Sequence, residues 1–374
     1  MSFLRYAVVS IVGTLTRFLP WPCRTGLVEI GQPDRRSPVL LTCNYRLTVA
    51  RVRRALRGIN AYLLVANSRG VNVWCAATGG LLTNHDVLSV LKTSGIEERV
   101  DHRQLVLPQL SATGIEAGVV EGKSGWKVTW GPVYARDIPS FLESGLTKTR
   151  EMHQVGFPWT QRLEMAAAWA FPLSIVAALV VAVLWRQALL TSILVIWGLS
   201  LATCLLFPLY ERWLVSGRRG SGAVLGAFMV LWAVVMLAGV GYYYVLGQAV
   251  GGEILRWALL TLVVLLVMGV DFLGTTPVYK SSLQGDRLLE VILDQERCRG
   301  VGYCEDVCPR DCYEVDRHRG KATMPRASRC VQCGACIVQC PCDALQFGTP
   351  DGGRIPPETI RRFKLNMMGK RVER

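Results

Sequence analysis

Two groups of cysteines in this chain have neighbours and spacings that suit metal chemistry. The first is a single residue, Cys75, in the stretch Val71-Asn72-Val73-Trp74-Cys75-Ala76-Ala77-Thr78-Gly79-Gly80. The apolar run from Ala61 to Ala66 reads as a buried strand, and Asn72 is a good N-cap, so a helix is predicted from Val73 with Cys75 in its first turn. Unpaired backbone N–H groups and the helix dipole favour a thiolate there. A thiolate is a soft, strongly donating metal ligand, and Ala76, Ala77, Gly79 and Gly80 leave room for a flat group against the backbone. The stretch suits an axial ligand to a macrocycle-bound metal. A cysteine after a strand also serves as a small buried hydrophobe, and the local residues leave both readings open.

The second group is dense. Cys330-x2-Cys333-x2-Cys336-x3-Cys340-Pro341 is a run in which three thiolates wrap one cubane iron–sulfur cluster and the fourth reaches a neighbouring cluster. Upstream, Cys298-x5-Cys304-x3-Cys308-Pro309 repeats it with Val301 where the second cysteine would fall. Pairing the halves gives one complete set, Cys308, Cys330, Cys333 and Cys336, for a 4Fe-4S cluster. The other set has only Cys298, Cys304 and Cys340, which favours a 3Fe-4S cluster, with 4Fe-4S as the alternative. Cys312 is either a spare buried thiol or a substitute fourth ligand, and Cys342 is a further thiol beside the last ligand. Two interlocked runs ending in Cys-Pro argue against zinc.

These groups need elements to hold them, and the chain supplies three kinds. From Pro38 the pattern is strand (Val39 to Cys43), helix (Thr48 to Arg57), strand (Ala61 to Ala66), the helix carrying Cys75, helix (His85 to Lys92) and strands at Gln104 to Leu107 and Trp126 to Trp130. Such alternation implies a doubly wound, Rossmann-like α/β sheet, whose ligands sit at strand C-terminal ends. Between Met165 and Gly274 lie four runs nearly free of charge. A span needs ~20 apolar residues, so they read as four transmembrane helices. The third run, Gly220 to Gly252, would cover only ~50 Å as a helix, too short for two spans and a turn. The N-terminal run Tyr6 to Leu19 is broken by Arg17 and reads as an interfacial or packing helix.

Composition sets the compartment. Of 13 cysteines in 374 residues, nine fall between Cys298 and Cys342 in ligand spacing, so they argue for a reducing cytoplasm and against disulfides. The mean hydropathy of +0.30 fits a membrane component. The formal charge of +14 is spread over Arg51 to Arg57, Arg212 to Arg219, Arg317 to Lys321 and Arg361 to Arg374 without interleaved stacking aromatics, which points to membrane-proximal charge and away from nucleic acid. Arg212, Arg218 and Arg219 put the middle loop inside by the positive-inside rule, and an even number of spans then puts both flanking domains in the cytoplasm, at the inner membrane.

The segment Asn72-Val73-Trp74-Cys75-Ala76-Ala77 resembles the cap-helix motif of the corrinoid protein of microbial mercury methylation, a relative of the corrinoid subunit of acetyl-CoA synthesis. The likeness continues through Thr42-Cys43-Asn44-Tyr45-Arg46-Leu47-Thr48, Leu107-Pro108-Gln109-Leu110, and Gly131-Pro132-Val133 to Asp137-Ile138-Pro139. The resemblance implies that Cys75 ligates the cobalt of a cobalamin-type corrinoid on its lower face, with Asn72, Val73, Trp74, Ala76, Ala77, Gly79 and Gly80 around it. One departure is clear: the family usually continues Gly-Lys after Ala-Ala, where this chain has Thr78 and Gly79. The cysteine-rich end resembles the bacterial dicluster ferredoxin that serves as the family's separate partner, and Cys308 to Cys312 resembles a seven-iron ferredoxin. That partner has a C-terminal cysteine pair that handles mercury; here the end is Asn366-Met367-Met368-Gly369-Lys370. The family has five membrane helices, and a fused ferredoxin needs both ends on one side, which suits four.

The expected protein is multi-domain. It has an N-terminal interfacial or packing segment (1–35) and a Rossmann-like α/β corrinoid-binding domain (36–155). A four-helix transmembrane domain follows (160–276; spans about 165–185, 188–210, 222–247 and 254–274), then an α+β dicluster ferredoxin domain (285–350) and a basic tail (351–374). The activity implied is methyl transfer from Cys75-ligated methylcobalt to a soft acceptor such as Hg(II). The methyl donor would be a methyl-folate or another corrinoid protein, and a cytoplasmic electron donor would feed the clusters that reduce the corrinoid. Alternatives are a corrinoid methyl carrier of one-carbon metabolism and a membrane iron–sulfur electron-transfer subunit.

Overall fold

Strands β2 (Val39–Cys43) and β3 (Ala61–Ala66) are buried at every residue, the condition of a parallel strand covered on both faces. The computed structural model describes residues 2–215, 221–245, 247, 251–274 and 289–363. The expected loop charges Arg218 and Arg219, residues 275–288 and the tail from 364, with Asn366 to Lys370, lie outside the described residues. The chain divides into two compact units, one of Met1–Gly13, Leu19–Val155 and Asp286–Arg374, the other of Thr14–Phe18 and Gly156–Gly285.

In the first unit a five-stranded sheet has the order β1-β3-β2-β4-β5, with β4 at Gln104–Leu107 and β5 at Lys127–Trp130. β2 pairs in parallel with β3 on one side and β4 on the other, and β4 in parallel with β5. The chain leaves β2 for β3 and returns across it to β4, so the C-terminal ends of β2 and β4 flank a topological switch point, where α/β folds bind ligands. β1 (Gly26–Ile30) runs antiparallel to β3 at the edge. The sheet therefore begins before residue 36, a correction to the expected boundary. Its five residues are only partly buried and pair with a strand far along the chain, so they carry little local pattern.

Around the sheet lie α1 (Phe3–Leu15), α2 (Arg46–Ala55), α3 (Val73–Thr78), α4 (Asn84–Thr93), α5 (Ala117–Ser124), α6 (Ile138–Glu143) and α7 (Arg150–His153). Thr83 and Asp86 form a capping box that starts α4.

The cysteine-rich part belongs to the same compact unit. β6 (Glu290–Leu293), β9 (Leu345–Gly348) and β10 (Arg354–Ile355) form one antiparallel sheet, and β7 (Glu314–Asp316) and β8 (Lys321–Thr323) a hairpin. Two five-residue helices, α13 (Tyr303–Val307) and α14 (Ala335–Gln339), follow glycines with left-handed φ, 93° at Gly302 and 77° at Gly334. Helix α15 (Pro357–Phe363) closes this part, whose core is Leu289, Tyr313, Ile337, Phe347, Ile360 and most of the cysteines.

The second unit holds α8 (Trp159–Leu184), α9 (Leu189–Leu205), α10 (Phe207–Val215), α11 (Ser221–Val245) and α12 (Gly252–Gly274). By length and composition four helices can cross a membrane: Trp159–Leu184, Arg186–Leu205, Leu225–Val245 and Gly252–Val270. The second was expected to run to residue 210 but stops at Leu205. Pro208 is the reason: it has no N–H for the carbonyl four residues back, and its ring disfavours helical geometry before it. Ile196, Phe228, Leu265, Met268 and Phe272 form the bundle's core, and Leu179, Val183, Val230 and Leu237 stand exposed on its outside.

Candidate functional site

Helix α3 is short and fixed at both ends. The Asn72 side-chain oxygen accepts from the Cys75 amide at 3.0 Å, and the Asn72 carbonyl accepts from Ala76 at 2.8 Å. At the other end Gly80 has φ 72°, and the Leu81 amide reaches back to the Ala76 carbonyl at 2.7 Å, a glycine-type helix stop. Val73 and Trp74 are half-buried and Cys75 is exposed, while Ala76, Ala77 and Thr78 are buried. Cys75 is thus not the small buried hydrophobe its neighbourhood allowed; Cys43, at 0% exposure, is that residue.

The loop entering α3 hangs on Asn44, directly after β2. Its carboxamide oxygen accepts from the Ser68 amide, the Ser68 hydroxyl and the Gly70 amide, each at 2.9 Å. The same hydroxyl lies 2.7 Å from the Val71 carbonyl, so its one proton is shared between that oxygen and Asn44. Gly70 has φ 73°, and a Cβ there would lie 2.5 Å from the Pro22 nitrogen, so only glycine fits. Beneath α3, Gly114 lies so close that a Cβ would stand 2.8 Å from the Ala77 carbonyl oxygen. The loops after β2, β3 and β4 therefore meet at Cys75's helix. Sequence reasoning quoted Asn44 but gave it no role; the signal was a lone carboxamide at the C-terminal end of an apolar strand.

The residues fit a flat macrocycle. An exposed thiol stands on a helix with the exposed Gly79 and half-buried Gly80 at its end adding no side-chain bulk, while Ala76 and Ala77 are wholly buried on its inner side. Thr78 turns inward and donates to the Trp74 carbonyl at 2.7 Å. At Gly79 a Cβ would lie 2.6 Å from the Cys75 carbonyl oxygen, so a side chain at that position would need the turn to shift.

The seven cysteines with cluster spacing fall into two neighbourhoods. Burial pushes the Cys304 thiol up to about 12, and Cys340 and Cys298 are the sulfurs beside it. Burial also raises Cys333, next to Cys308 and Cys330, and Cys336, next to Cys333, Cys330 and Cys308. Cys312, wholly buried, sits beside Cys308 and Cys330; interaction with those sulfurs, together with burial, raises its pKa, and its proximity lowers that of Cys308. Four sulfurs accept local hydrogen bonds: Cys298 from the Ala322 amide (3.3 Å), Cys308 from the Cys312 amide (3.3 Å), Cys330 from the Gln332 amide (3.4 Å) and Cys336 from the Tyr313 hydroxyl (3.2 Å).

Buried thiols resist ionisation until a cationic centre compensates them. Among the described residues no three His, Cys, Asp or Glu side chains converge on one metal ion. Cluster ligands need not do so, because each binds a different iron. An all-cysteine donor set of this spacing can hold polynuclear iron–sulfur groups. Beside the three-cysteine set is a cavity of about 30 Å³ lined by Cys298, Val301, Cys304, Cys340 and Cys342. Val301 is 49% exposed at its mouth.

Residues 18–142 match the family model of the CO dehydrogenase/acetyl-CoA synthase delta subunit. That range takes in all five strands of the sheet and α3. The chain is 38% identical over 168 residues to the acetyl-CoA decarbonylase/synthase complex subunit gamma of Methanopyrus kandleri, covering 40% of this chain and 36% of that protein. It is 38% identical over 120 residues to the subunit of the same name from Methanothermobacter thermautotrophicus (32% of this chain, 26% of that protein). The figure for Archaeoglobus fulgidus is 37% over 126 residues (33% and 26%). The chain thus spans about a third or less of the length of these curated relatives. Its α/β domain is related in sequence to subunits of acetyl-CoA synthesis enzymes.

Proposed function

We propose that this chain is a membrane-anchored, corrinoid-dependent methyltransferase that passes a methyl group to a soft acceptor, with Hg(II) the acceptor its motif implies, and that carries its own iron–sulfur reductant. The observation that carries the reading is Cys75, exposed in the first turn of α3 where the loops at the sheet's switch point meet. The relatives' part in acetyl-CoA synthesis, a methyl-handling chemistry, supports the corrinoid assignment.

A bound corrinoid would supply a cobalt that takes up a methyl group from a methyl-folate or another corrinoid protein and releases it to the acceptor. Cys75 would hold that cobalt through its sulfur. Asn72 fixes that sulfur by capping its helix, and Asn44 fixes Asn72 by holding the loop from Ser68 to Val71. Clusters held by Cys308, Cys330, Cys333 and Cys336, and by Cys298, Cys304 and Cys340, would supply single electrons taken from a cytoplasmic donor. The four long apolar helices would anchor the chain in the inner membrane with both cysteine sites in the cytoplasm.

A second reading keeps the corrinoid but replaces the acceptor: a methyl carrier of one-carbon metabolism. Gly79, where the mercury family has lysine, favours it, as do the named functions of the relatives. Purified protein should show the visible spectrum of a corrinoid, and cells should form methylmercury only when they carry this gene with Cys75 intact. Corrinoid without methylmercury leaves the carrier reading standing; protein without corrinoid overturns both.

A further inference from the structure

The two cysteine runs each send one polar residue into the α/β domain. Gln339 is the last residue of α14, between Cys336 and Cys340, and is only 7% exposed. Its Nε2 donates to the carbonyls of Ala112 (2.8 Å) and Ile115 (2.6 Å), and its Oε1 accepts from the Ala117 amide (3.2 Å). Both donor hydrogens of the carboxamide and its oxygen are thus engaged by backbone. Those three backbone groups bracket Gly114, the residue that lies against Ala77 under Cys75's helix.

Asp306 sits between Cys304 and Cys308 and meets Lys148. The lysine Nζ donates to Asp306 Oδ1 (2.9 Å), to the Asp306 carbonyl (2.8 Å) and to Gln109 Oε1 (2.9 Å). Gln109, on the same loop as Gly114, donates in turn to the His153 carbonyl at 3.0 Å. The Val155 amide donates to the Pro309 carbonyl at 2.9 Å, and Arg150 binds Asp311 at 2.6 Å. An exchangeable electron carrier would meet its partner through a wet, polar rim. Here a carboxamide and an ammonium are buried and nearly saturated with bonds, and separating them would leave several backbone groups unpaired.

We propose that Gln339 and Lys148 are positioning residues that hold the cysteine-rich part in one fixed docking geometry on the loop beneath Cys75's helix, so that the corrinoid is reduced from within the chain. The inference rests on the functional reading above. A reduced cluster held by the cysteines would give up one electron and be oxidised by one equivalent, and a corrinoid held at Cys75 would take up that electron and be reduced by one. A low-potential one-electron carrier, or dithionite in the test, restores the cluster.

The test uses the full-length, cofactor-loaded chain in detergent. Amide exchange at Ala117 and Val155, whose N–H groups are bonded across the docking surface, should quicken by at least roughly tenfold in Gln339→Leu and Lys148→Met, since each variant loses three buried hydrogen bonds and one alone shifts an opening equilibrium by about that much. Exchange in β3 should not change. Rapid mixing of cluster-reduced protein should show corrinoid reduction at a first-order rate independent of protein concentration, and slower in both variants. Their cluster and corrinoid spectra, and reduction of each by excess dithionite, should stay native. Lys148→Met leaves Asp306 able to reach water, so it folds and carries the test if Gln339→Leu does not. A wild-type rate proportional to protein concentration, or variants with native spectra and unchanged rate and exchange, overturns the inference alone. Protein that lacks iron or corrinoid overturns the functional reading and this inference with it.

Discussion

The ammonium of Lys148 lies 2.9 Å from the carboxylate of Asp306, with 3% of the lysine side chain exposed and 36% of the aspartate's. Burial pushes the Lys148 pKa down, and Asp306 opposes that shift. The pair is asymmetric, and so are the consequences of breaking it. Asp306→Ala strands a buried cation and should cost about 3 kcal/mol, whereas Lys148→Met leaves a carboxylate that water can reach and should cost roughly 1–2 kcal/mol. Thermal unfolding of the solubilised chain, followed by tryptophan fluorescence, would order the two. Equal losses would mean that the lysine's burial contributes nothing.

His153 gives the same contact a pH dependence. Its Nδ1 lies 3.0 Å from the Asp306 carbonyl, and burial, reinforced by the Lys148 charge, lowers its pKa from the usual 6.5. Below that value the unfolded chain takes up a proton before the folded one does. The contribution is therefore complete above pH 6.5 and declines as the pH falls below it. The protection factor of the Val155 amide, its exchange corrected for the intrinsic slowing in acid, should fall between neutral and mildly acid pH, and His153→Gln should flatten that fall. A wild-type profile already flat would remove His153 from the contact's energetics.

Cys75→Ala should fold normally, because the side chain is exposed and alanine suits a helix, with stability within about 0.5 kcal/mol of wild type. The corrinoid spectrum should shift as sulfur leaves the cobalt, and methyl transfer should collapse. Cys43→Ala, altered in the core instead, should leave the spectrum alone. An unaltered spectrum with full transfer in Cys75→Ala would end the ligand assignment.

Val301 lines the cavity of the three-cysteine set. Mildly oxidised protein should show the paramagnetic signal of a 3Fe-4S centre, and Val301→Cys should convert it to 4Fe-4S. Cys312→Ala should leave the iron content unchanged, because that thiol sits with the complete set. Two 4Fe-4S clusters in the unaltered protein would point to a further ligand, with Cys342 on the same cavity wall the first to replace.

The strands β2 and β3 and the start of α3 were legible because continuous apolar runs end at residues with local effects, Asn44 and Asn72. Local physics fixes such elements. β1 was not legible, since its partner lies over thirty residues away and its burial is partial. The stop at Leu205 was written in Pro208, but a uniform apolar run masked it. Gln339 and Lys148 had no signature at all. Each is a single polar residue in a stretch read for its cysteines or as a loop, and its partners are backbone carbonyls and an aspartate 158 to 227 residues distant.

Distance along the chain also sets an order of events at the ribosome. The Ala117 amide and its Gln339 acceptor are 222 residues apart, so at cellular elongation rates the loop beneath Cys75 waits roughly 10–45 s for the residue that closes it. In that interval the chain completes β5, α6 and α7 and then makes the long apolar helices α8 to α12. A group that must enter beneath α3 would therefore find that loop open before the cysteine-rich part exists.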